Sequence, residues 1–103
     1  MKQAIVLVFL SAATLVAQSG PNDQRARDIF KELIEINTTD SVGSVTKAAE
    51  AMAARLKAAG FSDADIQVLG PDPRKHNLVA RYRGTGARRP ILLLTNLRVQ
   101  KAA

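Results

Sequence analysis

"DIQVLGPDPRKHNLVARYRG", residues 65–84, is where the chain changes its period. Ile66 and Val68 alternate with polar neighbours in "DIQVLG", the two-residue repeat of a short strand. "GPDPRK" then predicts a loop, because Pro71 and Pro73 cannot donate to a sheet ladder. "NLVARYRG" alternates again: Leu78, Ala80 and Tyr82 fall on one face, Val79, Arg81 and Arg83 on the other. That pattern suits a strand with one face wetter than the other.

Upstream the repeat is helical. "NDQRARDIFKELIEIN" places Ala26, Ile29, Phe30, Leu33 and Ile34 on one stripe of an amphipathic helix. Asn22 or Asp23 is positioned to cap its first turn. "NTTD", Asn37 to Asp40, should end it, since these side chains compete for backbone hydrogen bonds. A second helix is expected from about Val45 to Ala59, with Ser44 as N-cap and Gly60 taking the left-handed conformation after the last turn. Val45, Ala49, Met52, Ala53, Leu56 and Ala59 form its apolar face, and its many alanines allow close packing against a neighbour.

Downstream, "GTGARRP" turns the chain, and Ile91 to Thr95 read as a third strand. Its four consecutive large apolar residues fit a strand covered on both faces. The expected fold is therefore α/β: two helices packed on a small mixed sheet of about three strands. The third strand is too apolar for a sheet edge, and nothing after it would cover it. Residues 21–103 thus read as part of a larger domain and not a finished one.

The chain has 103 residues, no Cys and a formal charge of +6. Met1-Lys2 followed by "AIVLVFLSAATLVA" (Ala4 to Ala17) and small residues has the layout of a secretory signal peptide. This assigns residues 1–20 to export, with cleavage between Ala17 and Gly20, and places the product in a secreted or periplasmic compartment. About 85 residues then remain, with no stable membrane span. That length buries a modest fraction of its surface. Without Cys there is no disulfide and no thiolate. The basic residues are dispersed, and Phe30, Phe61 and Tyr82 are the only aromatics after the leader, so nucleic-acid binding is not expected.

Little in this stretch carries chemistry by itself. His76 is the single His, beside Lys75 at a strand entrance, and reads as solvated or locally bonded. Gly84 to Gly86 lacks phosphate-loop spacing. Glu32, Glu35, Asp63 and Asp65 read as solvated faces. No Ser has an identifiable paired base. That leaves the carboxyl end of the third strand, where ligands gather in open α/β sheets. Residues 96 and 98 project to one side there. They are Asn96 and Arg98. A neutral amide is a poor zinc ligand, and a guanidinium cannot be deprotonated to become one.

In order, "ARDIFKELIEINTTDSVGSVTKAAEAMAARLKAAGF", "IQVLG", "HNLVARYRGTG" and "RPILLLTNLRV" resemble the start of the zinc peptidase family M-twenty. That family holds acetylornithine deacetylase, succinyl-diaminopimelate desuccinylase, aminoacylases and carboxypeptidases. The resemblance covers about Ala26 to Val99. It implies hydrolysis of small peptides or N-acyl amino acids by zinc-activated water, with a Glu as general base. In the family the strand ends in His-Leu-Asp-Val-Val, the His binding one zinc and the Asp bridging two. The matching positions here are Asn96 and Arg98. The resemblance therefore implies that residues 21–103 are the incomplete N-terminal portion of a metallopeptidase-like catalytic domain, with no catalytic residue, no metal ligand and no cofactor of its own, truncated and inactive alone. The alternative is a secreted, non-enzymatic interaction module that pairs through its sheet edge, with a homologous chain as partner.

Overall fold

The computed structural model describes residues 19–97. Among them are two helices, α1 (Asp23–Glu35) and α2 (Val45–Ala58), a single 3-10 turn at Asp63–Asp65, and two strands, β1 (Ile66–Leu69) and β2 (Asn77–Ala80). The export segment lies outside the described residues apart from Ser19 and Gly20, and Arg98 lies outside them as well. No described helix is long and apolar enough to cross a membrane.

Helix α2 follows its sequence closely. Ser44 Oγ accepts from the Lys47 N–H at 3.3 Å, and Gly60 has φ +101° just past the last turn. Helix α1 starts differently. The Asn22 side chain makes no capping bond. Instead the Asp23 carboxylate accepts from the Gly20 N–H at 2.8 Å, tying the entering chain to the first turn. Its end is as the composition predicts: Asn37 Oδ1 accepts from both the Thr39 N–H, at 3.0 Å, and the Thr39 hydroxyl, at 2.8 Å. These local bonds replace the next helical turn.

β1 and β2 are antiparallel, with Ile66 opposite Ala80 and Leu69 opposite Asn77. The Arg81 N–H extends the pairing by donating to the Asp65 carbonyl at 2.8 Å. Helix α2 lies across both strands. The core there is Ala48, Ala49, Ala53 and Ile66. Ile66 contributes about 2 kcal/mol by burial, and each alanine methyl about 0.8. Helix α1 buries no residue completely, and Phe30 and Ile34 on its apolar stripe are exposed. An ion pair between Glu32 and Arg55 joins it to α2.

The third strand is not formed. The sheet of the described residues has two strands, and residues 91–97 run without ladder bonds. Ile91 to Leu94 are 80–87% exposed, whereas the sequence pattern calls for cover on both faces. The reason is physical. Apolar patterning records a need for burial, but a strand also needs a neighbouring backbone, and no described segment pairs with this one. Residues 81–97 form an exposed arm, with Gly86 at φ +82° in the turn that the sequence marks.

Candidate functional site

Among the described residues a groove of about 900 Å³ has room for another molecule. Ile29 and Leu33 of α1, Met52 and Leu56 of α2 and Leu78 of β2 supply its apolar wall on the body of the chain. Leu93 to Leu97 of the arm form the opposite side. Amphipathic spacing explains this wall: Ile29 and Leu33 of the α1 stripe line it half-buried, while Phe30 and Ile34 stay exposed.

Asn96 lines this groove, so the sequence places one of its two marked positions on a concave surface. The donor set decides whether zinc fits. The polar lining comes from Arg55, Lys75, Asn77, Thr95 and Asn96. Two are cations and three are neutral amides or a hydroxyl. None is a carboxylate or an imidazole, the groups that hold zinc together with thiolate. No cluster of three or more His, Cys, Asp or Glu side chains that could hold a metal occurs among the described residues. The residues of the groove do not fit a divalent metal.

His76 is held locally. Its backbone N–H donates to Thr46 Oγ1 at 3.0 Å, and that hydroxyl donates to the Pro73 carbonyl at 2.6 Å. Thr46 is thus the buried polar hub joining the start of α2 to the loop before β2. The backbone N–H groups of Val45 and Thr46 add bonds to the Arg74 carbonyl at 2.8 and 3.3 Å. Sequence reasoning passes over Thr46, because its partners lie 27 and 30 residues away. Lys75, one residue before His76, pairs with Asp40 at 3.4 Å and borders the groove.

The carboxylates divide. Glu35 pairs loosely with Lys31 at 3.9 Å on the solvent face, and Asp63 pairs with Lys57 at 2.9 Å. Glu32 is engaged by Arg55. Asp65 departs furthest from a solvated face, with its side chain only 12% exposed. Arg83 donates to both of its oxygens, at 2.9 and 3.0 Å. These bonds hold the Asp65 carboxyl below its ordinary value, partial desolvation opposes them, and the Ser62 hydroxyl assists. This is a bracket between the ends of β1 and β2. Next to it Phe61 and Tyr82 stack at a tilt, 5.7 Å between ring centres.

Compared with protein-family models, curated proteins and solved structures, the chain matches none.

Proposed function

We propose that this chain carries the leading segment of an M-twenty-like zinc-hydrolase scaffold whose metal-binding strand end has been replaced, so that it works by association and not by catalysis. The observation that carries this reading is the polar lining of the groove: cationic and neutral groups stand where hydrolysis by metal-activated water needs carboxylate and imidazole. The order of two helices and two strands, each at the residues that bear the resemblance, supports the scaffold. The purified full chain, given one equivalent of zinc, is expected to bind no stoichiometric metal by calorimetry. It is also expected to hydrolyse neither dipeptides nor N-acyl amino acids. Turnover that a chelator abolishes would refute the proposal.

The association half of the reading rests on the arm. Four large apolar side chains held in water, next to a two-stranded sheet whose outer edges pair with no described strand, are an arrangement that strand addition completes. Residues 91–95 become the third strand when a neighbour covers them.

Export of the chain remains part of the proposal, supported by the basic start and apolar run of residues 1–17. Expressed in a bacterium from Met1, the protein should be recovered from the periplasm with a new N-terminus between Ala17 and Gly20. Intact chain confined to the cytosol would exclude this.

A further inference from the structure

The basic residues of the chain differ in the backbone that carries them. Arg25 and Arg27 sit on α1, and Arg55 sits on α2 with its side chain engaged by Glu32. Arg74 is held by its loop: its side chain donates to the Ser41 and Gly43 carbonyls, and its own carbonyl accepts from Val45 and Thr46. Arg83 is tied to Asp65. Past Arg83 the arm leaves the body. Residues 84–90 are all exposed, and no ladder pairs them among the described residues. Their one hydrogen bond there is local, from the Ala87 N–H to Thr85 Oγ1 at 3.5 Å. Nothing lies within 4 Å of a Cβ built at Gly84 or Gly86. Among the described residues neither the Arg88 nor the Arg89 guanidinium has a hydrogen-bond or ion-pair partner.

An endoprotease reads a substrate as an extended strand, through main-chain hydrogen bonds and a pocket for one side chain. Helices and closed turns must unfold before they fit, so exposed segments without backbone pairing are cut first. A serine endoprotease with a carboxylate at the base of its pocket selects arginine by a charge-assisted pair. Two bonds here follow an unpartnered arginine, Arg88–Arg89 and Arg89–Pro90. The second is closed to such an enzyme. The Pro90 nitrogen carries no N–H, and its ring crowds the residue before it.

We infer that the Arg88–Arg89 bond is a proteolytic processing site, at which an arginine-specific serine endoprotease detaches the apolar arm from the folded body. The protease serine attacks the Arg88 carbonyl carbon and the C–N bond breaks. The Arg89 nitrogen leaves as an amine, taking a proton, and water then hydrolyses the ester to free the Arg88 carboxylate. The cut removes the exposed Ile91–Leu94 run, whatever covers it, and leaves every helix, strand and ion pair of the body in one piece. The export proposed above supplies a compartment for such an enzyme, while the susceptibility of the bond stands without it.

Limited digestion of the full chain with trypsin, followed by mass spectrometry, tests this. Among the bonds of residues 19–97, the first to break is expected to be Arg88–Arg89, and the fragment ending at Arg88 should keep the helical circular dichroism. Arg88→Gln should slow that cut by about 30-fold or more, since it removes one partner of a buried charge pair. Pro90→Ala should open the neighbouring bond, adding a fragment that ends at Arg89. A first cut within α1, α2 or residues 70–76, or at Arg83, would overturn the inference. So would an Arg88→Gln chain nicked after residue 88 as fast as the parent, or a body that loses its helical signal once the arm is gone.

Discussion

Gly43→Ala is expected to cost about 3 kcal/mol or more, the upper range for forcing atoms into a packed site. A Cβ at this position would lie 2.3 Å from the Thr39 nitrogen and 2.6 Å from the carbonyl oxygens of Asn37 and Thr39. All three are backbone atoms, so no side chain can swing away to relieve the clash. Relief requires opening the 37–43 loop. That breaks the bonds that close it: the Gly43 N–H to the Thr39 carbonyl and the Ser44 N–H to the Asn37 carbonyl, both 2.9 Å. The loss falls at the N-cap of α2, the helix that carries most of the small core.

A domain of this size has a total stability of about 5–10 kcal/mol, so the substitution removes a large part of it. Urea unfolding followed by circular dichroism measures it, with Gly84→Ala as the control. Nothing lies within 4 Å of a Cβ built at Gly84. The control should stay within about 0.5 kcal/mol of the parent, as surface substitutions do. Gly43→Ala behaving like the control would mean that the loop is not closed as described.

How far these features can be read from sequence depends on range. Ser44 and Gly60 mark α2 because capping is local: each acts within a few residues of its own position. The period change at residue 65 marks β1 and β2 for the same reason. Asp23 is harder. A residue that accepts at a helix start can serve the helix or the chain entering it, and here it serves the entering Gly20. The Asp65–Arg83 bracket spans 18 residues and becomes visible only once the register is known. The run at Ile91–Leu94 shows the limit most clearly. Its composition states that the segment belongs under cover, yet pairing is a property of two segments. The polar half of the groove was legible at Asn96. Arg55, Lys75 and Asn77 were not, because three separate elements bring them together.

Thr46 carries the second large effect, and it bears directly on the groove. Thr46→Val keeps the shape of the side chain and removes its hydroxyl. The Pro73 carbonyl then loses its donor and the His76 N–H its acceptor, in a site where Thr46 itself is nearly buried. Leaving two such groups unpaired costs about 2–3 kcal/mol. Thr46→Ser restores both bonds at the expense of one methyl, a loss of about 1 kcal/mol or less. Val should therefore destabilise more than Ser, the reverse of a ranking by apolar burial. The amide of His76 gives a local measure. Hydrogen exchange there should speed up sharply in Thr46→Val and return close to the parent rate in Thr46→Ser. Equal protection in all three would remove Thr46 from this role. The turn it anchors leads directly through Lys75 and Asn77 into β2, so loosening it shifts one wall of the groove.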